Sequence, residues 1–410
     1  MRKILILANQ FPPMGGAGVQ RTSKFVKYLS QLGHEIQVVT KEFVGGLEDK
    51  TLSEDLPQGL KVHRLPAHDL ENAQGLLRIP KKVLAKFLSP DSEIFWAKKN
   101  EEAIKKIVED FKPEVIYTTS YPYSAHLLGY RLKKAFPHIF WIADYRDEWT
   151  NNPFHLDSAW RRQKLKKEKA LELKINGAVD YFITNTPLML KNFIQDTPSL
   201  AEKSVVIPNG YDEDDFQGID QTMDQSPKFI LTHTGSLYGR RNLEEILEAI
   251  SYLDREGILS KDHFELRIVG NVYERVLEDY RQKYQLEDQL VGYGYLAHRD
   301  SIRMLFRSQA LLLLIGKGKG SGNFYTGKVF EYLRAHRPIL AIVPEGVAKD
   351  LIQETGTGLC ADPSDTPAIA RALKTLYDQR MEAYKPDLEE IHKYDRKRQA
   401  QVLSRIIENL

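Results

Sequence analysis

The stretch GKVFEYLRAHRPILAIVPEG, residues 327–346, joins a short helix pattern to a short strand pattern through a proline. Val329, Phe330 and Leu333 recur at helical spacing, which predicts a helix from about Gly327 to Ala335 with one buried side. Pro338 stops that helix, since proline lacks an N–H, and then starts the apolar run PILAIV. Helix followed by buried strand is the repeating unit of a covered parallel sheet. Glu331 is the odd residue, an acid inside the apolar pattern, one turn beyond Thr326, Gly327 and Lys328. A helix start leaves amide N–H groups unpaired, so residues 326–328 with one ammonium suit a diphosphate. A carboxylate beside that site repels phosphate but accepts hydrogen bonds from vicinal hydroxyls, as on a ribose. The same spacing also suits a helix glutamate paired with Lys328 or Arg334.

Outward from this stretch the same rhythm covers the chain. KILILAN, EIQVVT, LKVHRL, EVIYTT, IFWIAD, DYFITN and SVVIP read as strands of a first series; FILTHTG, FELRIVG, QLVGYG, ALLLLIG, PILAIV and TGLCA form a second. Helix patterns lie between them, such as VQRTSKFVKYLSQLG, with Val19, Phe25, Val26, Leu29 and Leu32 as its apolar stripe and Gly33 as its stop. The turn-rich, acidic IPNGYDEDDFQGIDQTMDQSP separates the series near residue 209. A chain of 410 residues exceeds the roughly 250–300 at which single cores stop growing, so two domains are expected, 1–208 and 209–389. Residues 390–410 read as a surface helix, with Val402, Ile406 and Leu410 on one side, packing back on the first domain.

Composition narrows the function. Lys plus Arg number 58 against 56 for Asp plus Glu, a balance that argues against a nucleic-acid binder. One cysteine, Cys360, excludes an internal disulfide framework. The N-terminal apolar run ends at Ala8, too short for a secretory signal, and ALLLLIG falls far below the roughly 20 residues of a membrane span. The expectation is a soluble, cytoplasmic chain.

The polar and glycine-rich segments PPMGGAGVQR, SYPYSAH, DYRDEW, GSLYGRRN, GNVYE, GYGY and GKGKGSGNFYTGK each begin where an expected strand ends. Ligands of parallel sheets bind outside those carboxyl ends, so one crevice between two facing domains is expected to collect them. In GSLYGRRN, Arg240 and Arg241 stand at a helix mouth after Gly235, an anion site in outline; solvated arginines are the plain alternative.

These residues resemble the retaining GT-B glycosyltransferases of family 4. The likeness rests on PPMGGAGVQR, IPNGYDEDDF, GSLYGRRN, the VGN and GYGYL stretches and TGKVFEYLRAHRPILAI, and so spans nearly the whole chain. It implies an α/β fold of two Rossmann-like, doubly wound parallel-sheet domains facing a cleft. The second would hold the nucleotide sugar and the first the acceptor. It carries ribose binding to Glu331 and diphosphate binding to Arg241, with Lys328 beside it, and close backbone approach to Gly15 and Gly16. The sequence departs from the family pattern at Asn323, where a first glutamate is usual. It departs again at Ser236, where an arginine is common, and within DYRDEW, where Arg146 stands nearest a frequent histidine. Asp144, Arg146 and Asp147 are then candidates to orient acceptor or transferring sugar, and a structural ion pair at a strand end is equally compatible. His126, opening a helix, is a further candidate for substrate contact, or a structural histidine.

Other signals carry less. GAGVQR echoes a dinucleotide fingerprint but has Arg21 at its third glycine, leaving nicotinamide binding a weak rival. DEDDF, residues 212–216, reads as solvated acids rather than a metal site, and the site's own cations make a metal or other cofactor unnecessary. The basic stretch at 158–174 reads as a solvated helix face or as a peripheral dock on an anionic membrane. The activity expected is sugar transfer from a nucleoside diphosphate sugar, the co-substrate, to a hydroxyl of a saccharide or lipid-linked acceptor in cell-surface polysaccharide biosynthesis. The alternatives are a nucleotide-sugar epimerase and a degenerate, non-catalytic binding module.

Overall fold

The computed structural model describes residues 1–45, 48–49, 51–67, 88–152, 159–235, 237 and 242–410. Every expected apolar run is a strand: β1 Lys3–Leu7, β2 Glu35–Lys41, β3 Lys61–Leu65, β4 Val115–Ser120, β5 Phe140–Tyr145, β6 Tyr181–Thr184 and β7 Ser204–Val206 in the first series. The second holds β8 Phe229–Thr234, β9 Phe264–Val269, β10 Leu290–Gly294, β11 Ala310–Leu314, β12 Ile339–Ile342 and β13 Gly358–Ala361. The chain divides into two compact units, Met1–Pro208 with Arg396–Leu410, and Asn209–Asp395.

In the first unit the sheet order is β3-β2-β1-β4-β5-β6-β7, and in the second β10-β9-β8-β11-β12-β13. All pairings are parallel. Helices cover both faces, which is why the strands read as continuous apolar runs rather than alternating ones. In β1, Leu5 and Leu7 join the core on one face while Ile4 and Ile6 join the core on the other. In β11, Leu312 and Leu314 oppose Leu311 and Leu313 in the same way.

Each sheet reverses its strand order once, between β1 and β4 in the first unit and between β8 and β11 in the second. At such a reversal the neighbouring crossover helices lie on opposite faces and leave a crevice at the carboxyl ends. The described residues that follow these four strands are PPMGGAG, SYPYSAH, Gly235 and GKGKGSGNFYTGK, so topology delivers them to the crevice of each sheet.

Two helix readings change. The first helix, Ala17–Gln31, stops before Leu32, which lies 40% exposed; Gly33 follows at φ +91°. The last, Arg396–Glu408, buries Ala400, Leu403 and Ile407 against the Ala17–Gln31 helix, not the expected Val402, Ile406 and Leu410. Arg396, Gln399 and Ser404 are buried on that same side, and their polarity concealed the stripe from hydrophobic spacing. Leu403 and Ile407, both fully buried, each contribute about 1.5–3 kcal/mol.

Candidate functional site

In the second unit the site grows from the tip of β8. Gly235 has φ +105°, a left-handed conformation that favours glycine, and its N–H donates to the Val269 carbonyl at 2.6 Å. A Cβ on Gly270, at the tip of β9, would lie 2.4 Å from the Gly235 oxygen, so the two backbones touch where no side chain fits. A Cβ on Gly235 would lie 2.1 Å from Lys328 Nζ. Gly235 is therefore the platform over which the Lys328 ammonium rests.

Lys328 opens the helix Lys328–Ala335, whose Val329, Phe330, Tyr332, Leu333 and Ala335 are buried. Tyr332 pins the helix to β8: its hydroxyl accepts from the Thr234 amide at 2.8 Å and donates to the Leu312 carbonyl at 3.4 Å. His233, buried in β8, sets the ammonium's direction. Its Nδ1 lies 2.9 Å from the Leu312 carbonyl, which only accepts, so Nδ1 carries the hydrogen. Nε2 then offers a lone pair to Lys328 Nζ at 3.5 Å. Thr326, two residues before Lys328, is buried, and among the described residues its Oγ1 has no hydrogen-bond partner. A buried hydroxyl left unpaired is costly and marks a place where a ligand or water is accommodated.

Glu331 lies in the first turn of the same helix. Its partner is neither Lys328 nor Arg334 but His298, whose Nε2 is 2.9 Å from Oε1; Arg334 is bonded to Glu213 at 2.7 Å. Asn323 ends the short turn Ser321–Asn323 and is half-buried. That turn is seated by Gly322, where a Cβ would lie 2.1 Å from the Glu345 carbonyl. Gly235, Thr326, Gly327 and Lys328 thus come together, with Glu331 one turn on. Ser236 and Arg241 lie outside the described residues. Of the acids in DEDDF, Asp212 accepts from the Asp214 amide as a cap, and Glu213 holds Arg334.

In the first unit the candidates separate into two groups. Asp144 is fully buried and accepts from Arg21 Nε and Nη2, both at 2.8 Å, and from the Tyr117 hydroxyl at 2.7 Å. Burial works to raise its pKa, but the Arg21 charge and these hydrogen bonds hold the carboxyl below its usual range. Arg21 also donates to the Pro208 carbonyl. The residue that spoils the dinucleotide fingerprint is a core cation, and Asp144 is its counter-ion. His126 is equally enclosed: Nδ1 bonds Thr118 Oγ1 at 2.8 Å, and the ring stacks on Tyr145 at 4.0 Å between centroids. Burial lowers its pKa to about 3, so it is neutral near pH 7.

Arg146 belongs to the other group. It donates to the Ser120 and Tyr121 carbonyls, and its guanidinium lies against the first turn of the Ala17–Gln31 helix, where a Cβ on Gly18 would sit 1.4 Å from Nη1. Gly16 is that helix's N-cap and Gly15 precedes it, so these glycines, Arg146 and the β4 tip are neighbours. Asp147 is exposed.

Sequence reasoning missed His233, His298, Tyr332 and Arg21. His233 was detectable as a polar residue inside the apolar FILTHT run; His298 left no pattern.

Comparison with known proteins defines the class. The family model described as Glycosyltransferase Family 4 matches residues 14–215, and that described as Glycosyl transferases group 1 matches residues 219–398. The chain belongs to this GT-B glycosyltransferase family, and it is a glycosyltransferase. It is 24% identical over 383 residues to the mannosylfructose-phosphate synthase of Agrobacterium fabrum, covering 86% of this chain and 78% of that protein. A sucrose-phosphate synthase structure from Thermosynechococcus elongatus superposes with TM-score 0.69 at 15% identity, covering 100% of this chain and 99% of the other. A glycosyltransferase structure from Rickettsia africae gives 0.67 at 15% identity, covering 100% and 98%. The expected GT-B fold class of two parallel-sheet α/β domains holds.

Proposed function

We propose that the second unit holds a nucleoside diphosphate sugar and that the chain transfers its sugar, with retention, to a hydroxyl of a saccharide or lipid-linked acceptor in cell-surface glycan synthesis. The observation that carries this reading is the convergence at β8: a lysine ammonium over a bare glycine backbone, at a helix start that also presents the Thr326 hydroxyl, unpaired among the described residues. Lys328 and the amides of residues 326–328, with Arg241, take the charge of the departing diphosphate. Glu331 accepts the ribose hydroxyls. Gly15, Gly16, Arg146 and Asp147 serve acceptor or sugar from the first unit, where Asp144 and His126 support them from the core. In this reading the departing diphosphate is stabilised by protein groups, with no resident metal or cofactor.

A thermal-shift panel of nucleoside diphosphates and nucleotide sugars tests it. A ligand at about 100 times its dissociation constant stabilises by about 2.7 kcal/mol and identifies the donor. Absence of stabilisation by every member overturns the reading, and an isomerised sugar from donor alone replaces it with epimerisation.

Among the described residues no helix is long and apolar enough to cross a membrane. Peripheral contact of a cytoplasmic enzyme is supported by the helix Ala159–Ala178. Its two acids turn inward, Glu168 to the Trp149 indole and Glu172 to Thr150, while Arg162, Lys166, Lys167 and Lys174 face outward. Sedimentation with liposomes that shows no dependence on anionic lipid removes this part.

A further inference from the structure

We infer that His298 is a positioning residue for nucleotide binding, holding one oxygen of the Glu331 carboxylate so that the other faces a ribose diol; the inference rests on the donor reading above.

Glutamate has three rotatable side-chain bonds, and Glu331 sits partly exposed on its helix, where nothing in its own backbone fixes the carboxylate. His298 supplies the fixed point. It is the first residue of the helix His298–Phe306, whose Ile302, Met304, Leu305 and Phe306 are buried and which packs beside the Lys328–Ala335 helix. The imidazole is thus carried by an anchored element. Its Nε2 lies 2.9 Å from Glu331 Oε1, and an ionised carboxylate only accepts, so Nε2 carries the hydrogen. Among the described residues Oε2 has no hydrogen-bond partner, and Oε1 retains a lone pair. The carboxylate is therefore oriented from one side and open on the other. Two adjacent hydroxyls can donate to the open side together, whereas a 2′-deoxyribose offers one donor.

This arrangement makes a prediction that loss of packing alone does not. The probes are uridine, guanosine and adenosine diphosphates with their 2′-deoxy counterparts, using whichever base the intact wild-type chain binds, with affinities read by calorimetry. The wild type is expected to prefer the ribo form by about tenfold to a hundredfold, the worth of one charge-assisted hydrogen bond. In H298A the preference should collapse towards unity and ribo affinity fall by about tenfold. H298Q, whose amide also donates, should recover part of both. A wild-type preference that is abolished by E331A but unchanged in H298A overturns the role of His298 and leaves the donor reading intact. Nucleotide binding insensitive to the 2′-hydroxyl and to E331A overturns the donor reading and this inference with it. Equal loss for ribo and deoxy forms in H298A, without rescue by H298Q, makes the histidine structural only.

Discussion

The carboxyl ends of the two sheets carry the same kinds of residue in opposite electrostatic states. Below the tips of β1 and β4 the charges close on one another: Arg21 and Asp144 are essentially unexposed and bonded through two N–H groups, with Tyr117 completing the carboxylate. At the tips of β8 and β11 the charged groups meet histidines instead. Lys328 receives a neutral imidazole lone pair from His233, and Glu331 is held through one oxygen by His298. A buried pair has exchanged its hydration for its partner and has little left to offer a ligand, since desolvation largely cancels the attraction. A partly exposed charge held from one side keeps that capacity. Equivalent positions on one architecture can therefore serve as a fastener in one unit and as a candidate binding site in the other.

Breaking the closed cluster should have the largest effect. Arg21→Ala leaves Asp144 buried without its counter-ion, and the full chain should lose about 3–5 kcal/mol in urea unfolding. A loss below about 1 kcal/mol in that measurement would remove the distinction between the units. The histidine-held cluster should respond in turnover and not in stability. Lys328→Ala is expected to lower sugar transfer by about 10²–10³ while the melting temperature stays near wild type. A large fall in melting temperature with proportionate loss of activity would instead make Lys328 a fastener too.

The most gradual effect sharpens the comparison through pH. Burial depresses His126 to about 3 in the folded chain, against about 6.5 when unfolded. Between those values the unfolded chain takes a proton that the folded chain refuses. Stability from this group is thus complete above about pH 6.5 and is lost as pH falls towards 3, by up to about 1.4 kcal/mol per pH unit. His126→Phe should flatten the stability profile in that window by this amount; an unchanged slope would mean that the ring is accessible to protons.

How much of this was legible beforehand varies by residue. The strand FILTHT and the helix at 328–335 were readable because both faces of each sheet are covered and proline punctuates the joins. Lys328, Thr326 and Glu331 were readable as a group because they are adjacent in sequence. For Asp144 a structural ion pair was one of two readings, but its partner was not legible: Arg21 lies 123 residues away in the chain. The Arg396–Glu408 helix was misread because Arg396, Gln399 and Ser404 share its buried side.

By itself, then, the sequence determined the two-sheet α/β class, the strand positions and the chemistry available at one helix start. Those depend on local periodicity, turn chemistry and neighbouring residues. Tertiary structure alone decided which charges are spent on each other and which meet a histidine, because pairing and burial arise only when distant segments meet. Arg21 finds Asp144, and His298 finds Glu331, across separations that no spacing in the chain encodes.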